Sequence, residues 1–179
     1  MAYLAGQLGL AIAPHVALPL LRRAAEASTI DAPQPAYVYG MILAGEYRKI
    51  FIPPDLVLPS SGPLTAQLQS RHSEAKRFLI QSAYLDFGPA QLKVGNMYEH
   101  ALLECPYDPM LSIRYYIRAG QHGEAQADLA LSKWFMIGAG EKGEKDYVER
   151  DPHLARVFAC KAAECGLAAG CLAYAYCLS

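Results

Sequence analysis

Apolar positions along this chain recur in steps of three and four, and the block they form is itself repeated. Ala162-Ala163-x-x-Gly166-x-x-x-Gly170-x-x-x-Tyr174-Ala175-x-x-Leu178 shares its layout with Ala119-Gly120-x-x-Gly123-x-x-x-Ala127-x-x-x-Leu131-Ser132-x-x-Phe135. Ser82-Ala83-x-x-Asp86-x-x-x-Ala90-x-x-x-Val94-Gly95-x-x-Tyr98 fits without a gap. A fourth copy runs from Ala24-Ala25 to Tyr39-Gly40-x-x-Leu43, with extra residues in its turn. Upstream of each small pair stands an aromatic or Leu (Leu20, Phe78, Tyr115, Phe158), preceded by a small residue (Ala17, Ala75, Ser112, Ala155). Such spacing places these side chains on one helical face, which a single helix cannot bury alone.

Each copy therefore predicts two antiparallel helices joined by a tight turn. The first ends at the small pair and is called B; the second ends near the aromatic and is called A. Asp108-Pro109 and Asp151-Pro152 open two of the B helices, because Asp accepts the free first-turn amides and Pro costs nothing at the first helical position. Gly123 and Gly166 stand where a B helix must stop, in a left-handed conformation that Gly adopts freely. Small residues on the facing surfaces let helices approach closely, and the aromatic fills the gap beside them. The expected fold is all-α: a right-handed α-α superhelix, or solenoid, of antiparallel helix pairs.

Residues 1–179 read as one repeat array of about four helix pairs. The interval from Ser82 to Ala119 is unpadded; insertions are expected at 47–70 and 139–150. Four prolines (Pro53, Pro54, Pro59, Pro63) argue against a long helix in the first. The second holds the charged run Gly140 to Asp146 and reads as a solvated loop. Neither end resembles a polar capping unit. That leaves a fragment of a longer repeat domain, a truncated gene model, or a chain whose ends pair with something.

The chain is 53% hydrophobic, enough for a continuous core, and its formal net charge of -1 argues against nucleic acid as a partner. No run approaches the roughly 18 apolar residues of a membrane span, and no basic residue precedes Arg22, against a secretory signal. No catalytic motif, cofactor loop or metal spacing stands out among the five scattered histidines. Glu99-His100 reads as a solvated helix end. Cys160, Cys165, Cys171 and Cys177 crowd the last pair without a C-x-x-C. A metal site, a disulfide such as Cys160 to Cys171, or small buried thiols are the alternatives, the last being ordinary for a reducing compartment. Trp134, the single Trp, suits a binding anchor, although its helical spacing from Leu131 and Gly138 favours packing.

The layout resembles the Sel-like repeat (SLR), a relative of the tetratricopeptide repeat. Two blocks carry a sharper likeness: Cys105-Pro106-Tyr107-Asp108-Pro109-Met110-Leu111-Ser112, and Gly123-Glu124-Ala125-Gln126-Ala127-Asp128-Leu129-Ala130-Leu131-Ser132-Lys133-Trp134-Phe135. They are similar to blocks in fungal SLR proteins that activate or regulate chitin synthase, as is Lys161-Ala162-Ala163-x-x-Gly166-Leu167. The resemblance implies a non-catalytic scaffold without cofactor or metal. Its partner would be a chitin synthase catalytic subunit met from the cytoplasmic side, with plasma membrane or septum reached only through that partner. The chain departs from this group in lacking a long polar N-terminal region, the later repeats and a terminal prenylation box. A generic SLR adaptor, in signalling or protein quality control, is the alternative; a cysteine-based redox enzyme is a third. A groove lined by A helices would hold the partner, and Gln91, Lys93, Asp128, Lys133 and Trp134 are its candidate residues, each weighed against a merely solvated face.

Overall fold

The computed structural model describes residues 13–47, 52–53, 56–57, 63–140 and 148–178. Among them are eight helices and no strand: α1 (Pro14–Glu26), α2 (Gln34–Ala44), α3 (Leu64–Tyr84), α4 (Gly88–Glu99), α5 (Pro109–Gln121), α6 (Ala125–Ile137), α7 (Pro152–Glu164) and α8 (Ala168–Leu178). Odd-numbered helices are the B helices and even-numbered ones the A helices, as the repeat requires.

The start signals work as expected. Asp108 Oδ1 accepts from the Leu111 amide at 2.8 Å, and Asp151 Oδ1 accepts from His153 and Leu154 at 2.9 and 3.0 Å. Pro109 and Pro152 follow at the first helical position. The stop signals share one geometry. Glu124 N–H donates to Ala119 O and Gly123 N–H to Gly120 O; Leu167 and Gly166 do the same to Ala162 and Ala163. The small pair thus accepts the closing bonds of a Schellman turn. Gly123 and Gly166 have φ of +82° and +79°. Asp86 holds the equivalent place after α3 at φ 64°, with Phe87 and Asp86 donating to Ser82 and Ala83.

The helices gather into two compact units, Met1–Phe87 and Gly88–Ser179. In the first, α1 packs on α2 and α2 on α3. Its core joins Leu18, Tyr39, Ile42, Leu43, Phe78 and Leu79. Tyr39 meets Phe78 edge to face at 5.0 Å, and Ser82 Oγ donates to Pro33 O at 2.9 Å. In the second, α4 packs on α5, α5 on α6, α6 on α7 and α7 on α8, with a further α6–α8 contact. The B-helix aromatic stacks on the preceding A helix here: Tyr115 on Tyr98 at 6.1 Å and Phe158 on Phe135 at 5.7 Å. Close approach depends on small residues. A Cβ on Gly170 would lie 2.7–2.8 Å from Ala162 and Ala163, the small pair of α7.

Two expectations about insertions change. The 47–70 insertion is shorter, because α3 starts at Leu64 rather than near Arg71. Pro63 is the last proline, and a proline just ahead of a helix does not oppose it; Leu64 to Ser70 contains neither Pro nor Gly. In the 139–150 insertion, Ala139 and Val148 exchange backbone bonds of 3.0 and 2.8 Å, and Val148 joins the second unit's core. The charged stretch 141–147 between them lies outside the described residues.

Candidate functional site

The five candidates do not share one solvent face. Gln91 is fully buried, Asp128 5% exposed and Trp134 9% exposed; Lys93 is half-buried and Lys133 exposed. Gln91, Asp128 and Trp134 are buried rather than exposed, and for the first two the reason lies in the register. Gln91 and Asp128 hold the same repeat position, nine residues after the first member of the small pair. For Asp128 that position faces its own B helix: a Cβ on Gly120 would stand 2.9 Å from Asp128 Oδ1. Burial pushes the Asp128 carboxyl above the usual carboxylate range, and Lys161 pulls it partly back.

The two blocks that carry the sharper likeness do converge. Tyr107, from the first, lies 6.4 Å ring to ring from Trp134, from the second, at a tilt of 41°. Trp134 belongs to the core cluster with Ile113, Tyr116, Ala119, Ala127, Leu131 and Val148. Packing is therefore what its position supplies, as its helical spacing indicated. Its Nε1–H, however, is buried without an acceptor among the described residues. Tyr107 is 57% exposed. It follows a backbone segment in which Ala101, Leu103 and Glu104 have φ of 51°, 50° and 59°, a left-handed conformation unfavourable for residues with a Cβ. No glycine marks that segment, so nothing in the sequence announced it.

Between α4 and α5 lies an interhelical polar contact that sequence reading missed. The Tyr116 hydroxyl donates to Glu99 Oε2, with His100 Nε2 3.9 Å from the same oxygen. Glu99, the last residue of α4, therefore ties that helix to α5 instead of standing free in solvent. Burial, then the Glu99 carboxylate, raise the Tyr116 phenol far above its ordinary value.

All five cysteines are free thiols. Only Cys105 is buried; Cys160 and Cys177 are half-buried and Cys165 and Cys171 exposed, so the expectation of small buried thiols holds for one of five. Cys160 Sγ lies 3.4 Å from Glu164 Oε1, a contact that raises its pKa. Among the described residues no three His, Cys, Asp or Glu side chains gather in a metal-binding arrangement. The first unit has a separate groove of about 370 Å³ between Leu18, Tyr39, Leu43, Leu56 and the Arg22–Glu74 ion pair. No helix among the described residues is long and apolar enough to cross a membrane.

No family model matches the chain. Individual relatives do. It is 31% identical over 122 residues to chitin synthase regulatory factor 4 of Schizosaccharomyces pombe, covering 68% of this chain and 18% of that protein. It is 31% identical over 148 residues to chitin synthase regulator SKT5 of Saccharomyces cerevisiae, covering 83% and 18%. Against chitin synthase regulatory factor 3 of Schizosaccharomyces pombe identity reaches 42% over 59 residues, or 33% of this chain and 6% of that protein. The chain thus spans less than a fifth of the length of these relatives. Among solved structures, a Sel1 repeat protein from Oxalobacter formigenes matches with a TM-score of 0.71 at 19% identity, over 98% of this chain and 58% of that one. A protective antigen of uropathogenic Escherichia coli with an SLR fold matches with a TM-score of 0.70 at 21% identity, over 95% and 30%. Helix order, turn geometry and these likenesses agree: the chain has the Sel-like repeat fold and is similar in sequence to fungal chitin synthase regulators.

Proposed function

We propose that this chain is the repeat portion of a non-catalytic scaffold that binds and regulates a chitin synthase. The observation that carries the reading is its likeness to proteins named as chitin synthase regulators, over 68% and 83% of its length. The convergence of Tyr107 and Trp134, one from each of the two blocks that resemble that group, supports it. Helix pairs of this kind present side chains from several repeats to one partner, so affinity comes from a distributed surface with a few aromatic anchors. Attachment at the plasma membrane or septum would then follow from the partner's own membrane spans.

Co-purification tests this. The tagged chain, expressed in a fungus, is to retain a chitin synthase catalytic subunit from detergent-solubilised membranes. The complex is to persist at a salt concentration that removes nonspecific membrane proteins. Failure to recover any chitin synthase, with the chain folded and abundant, would count against the reading and leave the generic adaptor in its place.

A further inference from the structure

The geometry points to the Tyr107–Trp134 pair as a docking site for an extended, proline-containing segment of a partner protein. The inference rests on the scaffold reading and adds the chemistry of what is bound.

The repeat register shows what packing needs at position 134. Its equivalents in α2 and α4 are Ile42 and Met97, 5% and 0% exposed. Both are wholly apolar, so the core there asks only for an apolar side chain. Trp134 fills the same place and adds an N–H donor that finds no acceptor among the described residues. An unsatisfied buried donor is destabilising, a penalty that packing does not explain. Tyr107 is equally singular: Ser70 and Arg150 hold its position in the copies on either side. The pair therefore exists in one repeat only.

The chemistry selects the occupant. Two aromatic rings lie 6.4 Å apart at 41°, one of them half in solvent, and the other carries a buried N–H with no acceptor among the described residues. A helix or a paired strand uses its own carbonyls and offers none to that donor. A polyproline II segment leaves its carbonyls unbonded, sets its pyrrolidine rings against aromatic faces and loses little conformational entropy on binding. Lys133, next in the chain and exposed, favours an acidic residue beside the prolines. Tyr107, as the exposed member, swings aside on docking so that a peptide carbonyl accepts from Trp134 Nε1.

Trp134 is the only tryptophan, so its emission reads the site directly. The full 179-residue chain is titrated with a synthetic peptide of P-x-x-P spacing ending in Asp, and with the same peptide carrying alanine for proline. A saturable emission change is expected, with the proline peptide binding at least about tenfold more tightly. Tyr107→Ala is expected to weaken binding about tenfold with unchanged circular dichroism. Trp134→Phe keeps the ring and removes the donor; read by calorimetry, it is to lose a similar factor without losing thermal stability. No saturable change, equal binding of the alanine peptide, or full affinity in Trp134→Phe overturns the inference. If the peptide fails while chitin synthase still co-purifies, this inference alone falls; if the peptide binds and chitin synthase never does, the regulator reading falls instead.

Discussion

Gly95→Ala probes the packing that holds the second unit together, and two opposing effects decide its outcome. In a helix interior, Ala is favoured over Gly by about 1 kcal/mol, so propensity alone predicts a more stable protein. The structure predicts the reverse. A Cβ on Gly95 would lie 2.8 Å from both Cδ1 and Cε1 of Tyr116 and 3.2 Å from its Cγ. The ring would have to recede by about 0.6 Å to restore an ordinary carbon contact. It has nowhere to go. Tyr116 is 2% exposed, and its hydroxyl is held by Glu99 on the same helix as Gly95. Overpacking of this kind costs about 1–3 kcal/mol, and a ring fixed at both ends belongs near the upper figure. The net loss is then about 2 kcal/mol, or about 4–8 °C in melting temperature for a chain of this size. Urea titration followed by circular dichroism measures it. Adding Tyr116→Leu removes the blocked ring, so the double variant is to be more stable than the sum of the single changes implies. A Gly95→Ala protein as stable as the parent, or more so, would show that α4 and α5 do not approach this closely.

The buried Asp128 predicts a pH signature. Its folded pKa lies above the ordinary aspartate value, so the folded state holds the proton more tightly than the unfolded one. Its contribution is present in full below that value and is lost as pH rises through the folded pKa. Asp128→Asn is accordingly to gain on the parent between about pH 3 and about pH 7 in urea midpoint; a gap that stays constant over that range would refute the assignment. Thiol titration under native conditions is to find Cys165 and Cys171 reacting first, Cys160 lagging beside Glu164, and Cys105 reacting only after unfolding. Fewer than five titratable thiols in unfolded, non-reduced protein would contradict five free cysteines.

Helix boundaries were legible because their signals are local. An Asp-Pro start and a Gly stop act within one turn of backbone, and both geometries appear where the letters stand. The start of α3 is not legible from the number of prolines in the span before it, because they restrict only residues up to Pro63. The contact from Tyr116 to Glu99 joins two helices through side chains, and no spacing rule within either helix specifies it. The left-handed residues Ala101, Leu103 and Glu104 carry no conformational signal of their own, since none is a Gly, Asn or Asp. The surface candidates went astray because polarity was read as exposure. Comparison across the copies corrects that. The place of Gln91 and Asp128 is held by Ala36 in the first copy, fully buried.

The same comparison separates polar residues that packing explains from those it does not. Asp128 departs from Ala36, yet Gly120 opens the space its carboxylate fills, and Lys161 offsets part of the burial penalty. Its departure is matched by a change in its neighbours, so structure accounts for it. Trp134 departs from Ile42 and Met97, and its described neighbours supply room for the ring but no acceptor for the N–H. In a repeat protein each copy is a control for the others. A polar atom whose surroundings have not changed to receive it answers to something other than the fold. By that criterion Asp128 belongs to the core, and Trp134, with Tyr107 against it, is the residue we propose for recognition.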